Sequence, residues 1–210
     1  MSDLGVLSYY IGIEVRQWKE ALTLSQSMYA SKLLERSGMA KCKSCVTPME
    51  ERLKLTKART TVKVDATLYR SIIGGLCYLV HTRPDIAFAM GHVSRFMEDP
   101  REDHWATVKR LLHYIKGTVD QEIVFPKTSG SRLQLTVFSD ADIAGDIDGR
   151  RSTSGMLIFL KWAPISWMSL KQKVVALSTC EADYKWSRQS PLSGNRLLVN
   201  FEAYNAIQPA

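Results

Sequence analysis

No run of about 18 apolar residues occurs in this chain, so a membrane-spanning helix is not expected, and neither is a membrane partner. The first residues, Met1-Ser2-Asp3-Leu4-Gly5, lack a basic stretch followed by an apolar core, the pattern of a signal peptide. Cysteine is scarce, with four in 210 residues. That is too few for a disulfide scaffold and points to a reducing intracellular compartment, cytoplasm or nucleus. Hydrophobic residues are not in short supply: they make up 45% of the chain against 23% charged, which excludes disorder throughout. A chain of this length holds one large domain or two small ones.

What is in excess is positive charge. The formal net charge is +7 and the pI about 9.3. Most of the excess lies in residues 1–130, whereas Asp140, Asp142, Asp146 and Asp148 cluster later. A basic body fits a polyanionic partner, because Lys and Arg release counterions from phosphates. It equally fits a soluble surface that happens to be basic.

The periodicity is mixed. Tyr9–Val15 and Ala21–Ser25 read as two strands of a hairpin, with Arg16–Glu20 as the loop. A helix over 27–37 follows, stopped by Gly38. Residues 39–64, rich in Lys, Thr and Arg, read as a long exposed connection. Asp65 caps a helix with Leu68, Ile72, Leu76 and Leu79 on one face. Pro84-Asp85 opens a second, with Ile86, Met90, Val93 and Met97 aligned, and Pro100 a third, with Trp105, Val108, Leu112 and Ile115, closed by Gly117. From about residue 121 the period becomes strand-like: 122–125, 133–138, 155–160 and 165–170, with a turn at 161–164. A helix is expected from Ser178, with Glu181 in its first turn. The boundary between the two regions falls near 117–130.

The acids suggest chemistry. A strand ends at Asp140, with Asp142 two residues on, and Glu181 and Asp183 arrive at the start of the later helix. Such carboxylates, if they converge, suit Mg²⁺ and two-metal phosphodiester cleavage. The competing reading makes Asp142, Asp146 and Asp148 solvated turn formers before Gly149. Cys42-Lys43-Ser44-Cys45 is a CxxC without further soft ligands at zinc spacing. Cys77 and Cys180 read as small buried helix residues. The four histidines show no metal spacing, and His81 and His104 read as surface or boundary residues. Trp105 and Trp167 fall at core-like positions.

Several stretches together resemble one family. Val137-Phe138-Ser139-Asp140-Ala141-Asp142, Arg150-Arg151-Ser152-Thr153-Ser154-Gly155, Ile165-Ser166-Trp167, Lys171-Gln172 and Ala176–Ala182 (ALSTCEA) resemble the RNase H domain of Ty1/copia elements. Upstream, Val64–Gly74 (VDATLYRSIIG), Thr82–Phe88 (TRPDIAF), Ser94–Met97 and Lys109–Thr118 (KRLLHYIKGT) resemble the region before it in those polyproteins. Tyr10–Val15 (YIGIEV) resembles the end of the reverse transcriptase palm. The likeness spans about residues 2–184.

The resemblance implies an α+β fold: a hairpin and a helical thumb- or connection-like region, then a truncated RNase H-like mixed α/β domain. The implied domains are 1–120, the C-terminal part of a reverse transcriptase; 121–184, a partial RNase H-like domain; and 185–210, a divergent tail. It places Ile11 and Gly12 in a hairpin gripping the primer end, and Gly74-Gly75 where backbone meets a duplex minor groove, or alternatively where two helices pack tightly. Arg150 and Arg151 would contact phosphate, or form a solvated turn. Asp140 matches the first metal-binding carboxylate. The second belongs before the Tyr of an E-A-E-Y motif, which here reads Glu181-Ala182-Asp183-Tyr184. Asp183 thus takes that place, one methylene short, with Glu181 as substitute.

Other departures concern the whole site. The family's third and fourth carboxylates have no match in 185–210, Ile143 replaces an expected Trp, and the polymerase motif of paired aspartates after Tyr is absent. Loss of the central strand that follows the helix would remove several kcal/mol, comparable to a domain's net stability. The expected function is therefore that of a copia-type Pol fragment whose ancestral activity, Mg²⁺- or Mn²⁺-dependent cleavage of RNA in RNA–DNA hybrids, is weak or lost. The alternatives are a non-catalytic binder of nucleic-acid duplex and a relic without function. The expected partners are an RNA–DNA hybrid or another duplex, and the missing polyprotein segments.

Overall fold

The computed structural model describes residues 6–51, 53–58, 61–127, 134–142, 144–178 and Glu181. They form an α+β structure in two compact units: residues up to 53 with 57–131, and residues 54–56 with 132 onward. Each is described by itself.

The first unit runs β1 (Tyr9–Tyr10), β2 (Ile13–Gln17), β3 (Ala21–Ser25), α1 (Ser27–Arg36), α2 (Ala66–Leu79), α3 (Ala87–Val93), α4 (Glu102–Gly117) and β4 (Glu122–Pro126). Its sheet is antiparallel in the order β1-β2-β3-β4. The single strand expected over Tyr9–Val15 is in fact two. Tyr10 pairs with Ile13, so only Ile11 and Gly12 make the turn. Their φ values of 44° and 77° are those of a primed hairpin turn, whose twist matches the flanking strands. Glycine adopts this conformation freely, whereas a β-branched residue such as Ile11 does not. The strand at Glu122 was expected to open the C-terminal region. It pairs instead with β3, Leu24 opposite Ile123, and so belongs to the first sheet. Strand propensity marks a segment as a strand without naming its partner.

The core of this unit is helical. Ala30, Leu33 and Leu34 of α1 pack with Tyr69, Ile72, Ile73, Leu76 and Leu79 of α2, with Ala89, Met90 and Val93 of α3, and with Val108, Leu111, Leu112 and Ile115 of α4. Each fully buried Leu or Ile contributes about 1.5–3 kcal/mol relative to exposure. The expected faces need two corrections. Leu68 is exposed while Tyr69 takes its place, and Met97 is exposed while Phe96 is buried. Adjacent apolar residues leave a helix face ambiguous by one position, and burial of the larger ring resolves it at both sites. The second expected helix is also interrupted: short 3₁₀ turns at Pro84–Ile86 and Ser94–Phe96 flank α3.

The termini follow local chemistry. Asp65 accepts from the Thr67 backbone N–H at 2.8 Å and so caps α2. Gly38, at φ 70°, lies just beyond α1, and the Met39 N–H closes back onto the Leu34 carbonyl. His104 is fully buried rather than at a boundary. It stacks on Phe96 with ring centroids 3.8 Å apart, and its Nδ1 accepts from the Arg101 N–H at 3.0 Å. The connection 39–64 is not simply exposed. Met39, Cys45 and Met49 pack against the helical core, and Lys63 bridges to Arg101.

The second unit holds a three-stranded antiparallel sheet: β5 (Leu135–Ala141), β6 (Thr153–Leu160) and β7 (Ala163–Lys171), in that order. The turn between β6 and β7 is only Lys161-Trp162, shorter than the expected 161–164, with Lys161 at φ 56°. Met156 and Ile158 centre a small core, flanked by Ile165 and Met168. Trp167 is half-buried, as is Trp105 of α4.

Candidate nucleic-acid interface and acidic hairpin

The Ile11-Gly12 turn is held from α2. The Tyr78 hydroxyl donates to the Ile11 carbonyl, and the Tyr78 ring closes on Gly12 so that a Cβ there would lie 3.3 Å from it. Tyr78 in turn packs edge-on against Tyr29 at 5.0 Å. The turn is thereby fixed while Tyr9, Tyr10 and Ile11 stay exposed. Tyr78 went unrecognised in the sequence, because a tyrosine on an apolar helix face reads as core.

The two glycines of α2 part company. A Cβ on Gly75 would lie 2.6 Å from Leu33 Cδ1, and Tyr29 donates to the Gly75 carbonyl at 3.2 Å. Gly75 therefore serves close packing of α2 on α1. Gly74 is exposed, with no atom within 4 Å of its Cβ position. Of the two glycines, Gly74 is the one left on an open helix surface.

The motif around Arg83 is a buried staple. Arg83 forks onto Asp85 at 2.7–3.2 Å and donates to the Thr118 carbonyl and hydroxyl at 2.8 and 2.6 Å. Its guanidinium lies 5.7 Å from the centre of the Tyr114 ring. Thr82 donates to buried Gln26 at 2.8 Å. These groups tie the α2–α3 junction to the end of α4 and to β3.

In the second unit, Asp140 lies exposed near the end of β5, opposite Gly155. The neighbouring acids are engaged in the turn that follows. Asp142 accepts from the Thr153 N–H. Asp146, largely buried, accepts from the Gly149 N–H at 2.7 Å and pairs with Lys171 at 2.5 Å. Asp148 accepts from Thr56 at 2.5 Å. Arg150, at φ 51°, donates its N–H to the Asp146 carbonyl at 2.8 Å, while the Arg150 and Arg151 side chains are exposed. Glu181 accepts from the Leu177 N–H at 2.7 Å, and Ser178 accepts from the Glu181 N–H at 3.1 Å. The Ser178 contact is that of a helix N-cap, while Glu181 reaches the N–H of Leu177, one residue before the cap, rather than that of Ser178 itself. Asp183, Cys180, Ile143 and the tail 185–210 lie outside the described residues.

Among the described residues, no three His, Cys, Asp or Glu side chains converge as metal ligands. Asp142, Asp146 and Glu181 are each bound to local N–H groups, while Asp183, the other expected ligand, is outside the described residues. Cys42 and Cys45 are free, and the Cys45 thiol donates to the Arg110 carbonyl at 3.4 Å. His81 is exposed, with Nδ1 2.8 Å from the Tyr78 carbonyl.

The comparisons with known proteins give the class first. Residues 1–51 match the family described as reverse transcriptase (RNA-dependent DNA polymerase). The chain is 44% identical over 179 residues to the retrovirus-related Pol polyprotein from transposon RE2 of Arabidopsis thaliana, covering 85% of this chain and 12% of that polyprotein. It is 42% identical over 193 residues to the corresponding polyprotein from transposon TNT 1-94 of Nicotiana tabacum, covering 88% and 14%. An uncharacterized mitochondrial protein of Arabidopsis thaliana is 39% identical over 186 residues, 88% of this chain and 76% of that protein. The chain belongs to the copia-type retrotransposon Pol polyproteins. It spans about one eighth of the length of the Pol polyproteins it matches. No solved structure matches it.

Proposed function

We propose that this chain joins the C-terminal part of a copia-type reverse transcriptase to the beginning of its RNase H-like region, and that it holds nucleic-acid duplex without cleaving it efficiently. The observation that carries this reading is the contrast between the two candidate sites. The Ile11-Gly12 turn is braced by Tyr78 with its aromatic neighbours turned outward. The acids around Asp140, by contrast, are engaged in backbone caps. A net charge of +7 supplies the attraction to phosphate, and the exposed Arg150 and Arg151 add to it from the second unit. The hydrolytic reading, with Asp140 and Asp183 or Glu181 on a divalent ion, requires Glu181 to leave its contact with the Leu177 N–H only where Glu181 rather than Asp183 is the second ligand.

The test is a titration of RNA–DNA hybrid at several salt concentrations, with cleavage followed in parallel. Binding is expected to weaken linearly in log[salt], with a slope of about 0.9 per phosphate contacted. Replacing Arg150 and Arg151 with Ala is expected to lower that slope by about 1 to 2. Absence of hybrid binding by the folded chain rejects the proposal and leaves the relic reading.

A further inference from the structure

We infer that the cavity between residues 43–45 and α4 is a binding site for a phosphate group, carried by a phosphate monoester or diester. The cavity, a solvent-open depression of about 430 Å³, is lined by Lys43, Ser44, Cys45, Lys109, Arg110 and His113, with exposed Ala106 beside them. Its walls are fixed. The Cys45 N–H donates to the His113 carbonyl at 3.3 Å, the Cys45 thiol to the Arg110 carbonyl at 3.4 Å, and the His113 ring Nδ1 meets the Lys43 carbonyl. Gly117 lets Ser44 pack closely, since a Cβ there would lie 2.8 Å from it.

The charge at this place is one-sided. Residues 38–49 contain Lys41 and Lys43 and no acid, and residues 104–119 contain Lys109, Arg110 and Lys116 and no acid. The acid that reaches the site is Glu50, and it is taken by Arg110 at 3.1 Å, with Thr47 holding the same guanidinium at 2.9 Å. The ammonium groups of Lys43 and Lys109 have no ion pair among the described residues, and both side chains are exposed at the rim. Two strongly hydrated point charges and a serine hydroxyl lining one depression suit a tetrahedral oxyanion, which accepts donors from several directions. The cavity is larger than a phosphate alone and leaves room for an attached sugar.

The site is built from residues other than Ile11, Gly74 and Arg150, and it does not depend on the hybrid-holding reading. The experiment titrates the full chain with inorganic phosphate and follows backbone amide shifts by NMR. Saturable shifts at Ser44, Cys45 and Lys109 are expected. They should weaken at least about tenfold in a Lys43→Gln/Lys109→Gln variant, stay unchanged in Lys32→Gln, and tighten in Glu50→Gln, which frees Arg110. RNA–DNA hybrid binding by the same variants identifies the source. A fall in the salt slope of about 0.9 assigns the site to one backbone phosphate, and an unchanged slope assigns it to a free phosphate ester. Absence of saturable shifts, or equal binding by the double variant, overturns the proposal. Loss of hybrid binding with phosphate binding intact rejects only the function proposed above.

Discussion

Replacing Gly75 and Gly74 separately with alanine sets two known effects against each other at neighbouring positions of one helix. In a helix interior, alanine is favoured over glycine by about 1 kcal/mol. At Gly74 nothing opposes that gain, because its Cβ position is open. Gly74→Ala is therefore expected to stabilise the first unit by up to about 1 kcal/mol. At Gly75 the new methyl would meet Leu33 Cδ1 at 2.6 Å, well inside van der Waals contact. Leu33 is only 2% exposed and sits among packed neighbours, so it cannot swing away into solvent. Overpacking of this kind costs about 1–3 kcal/mol, and the Tyr29 hydrogen bond to the Gly75 carbonyl would be stretched as α2 moves off α1. After subtracting the propensity gain, Gly75→Ala is expected to destabilise by up to about 2 kcal/mol. Urea unfolding followed by Trp105 fluorescence reads both, with opposite shifts in midpoint. Equal shifts of the same sign would refute the assignment of Gly75 to helix packing and of Gly74 to an open surface.

Other outcomes follow from the same geometry. Arg83→Ala leaves Asp85 and the Thr118 carbonyl without their partner in a largely buried site, and it should cost about 3–5 kcal/mol in urea unfolding. Burial, reinforced by the nearby Asp103 charge, raises the Tyr69 hydroxyl pKa well above its usual value, and burial also raises Tyr29 and Tyr114. Because these folded-state values are raised, their contribution is complete below about pH 10 and lost as pH rises through the folded values. Stability measured from pH 8 upward should therefore decline above about pH 10, and Tyr69→Phe should flatten part of that decline. Asp146→Ala removes the partner of Lys171 and the acceptor for the Gly149 N–H, so amide exchange across 146–151 should accelerate while the first unit keeps its unfolding midpoint.

Much of the fold was legible because it depends on local chemistry. The Asp65 cap, the Gly38 stop and the alternation in β6 each express a preference of one residue or one short period. Three features were not. Tyr9–Val15 carries an unbroken strand composition, and only Gly12 hinted at the turn between β1 and β2. Glu122–Pro126 announced itself as a strand, but pairing with β3 is a long-range choice that composition does not encode. Leu68 and Tyr69 are adjacent apolar residues, and packing alone decides which of them faces the core.

The candidate site divides in the same way. The turn-forming reading fits Asp142 and Asp146, which accept from the Thr153 and Gly149 N–H groups, although Asp146 is buried against Lys171 rather than solvated, and Asp148 instead meets the distant Thr56 hydroxyl. Glu181 similarly meets the Leu177 N–H within its own helix cap. By contrast, the roles of Tyr78 and Arg83 depend on partners 67 and 35 residues away and left no mark in the local pattern.

The most direct test of the account is incubation of purified protein with labelled RNA–DNA hybrid in Mg²⁺ or Mn²⁺, beside an Asp140→Asn variant, with binding measured in the same samples. The account predicts salt-dependent binding by both proteins and no cleavage that depends on Asp140. Cleavage by the parent chain that disappears in Asp140→Asn would contradict it, showing that Glu181 leaves its cap or that Asp183 completes a working site.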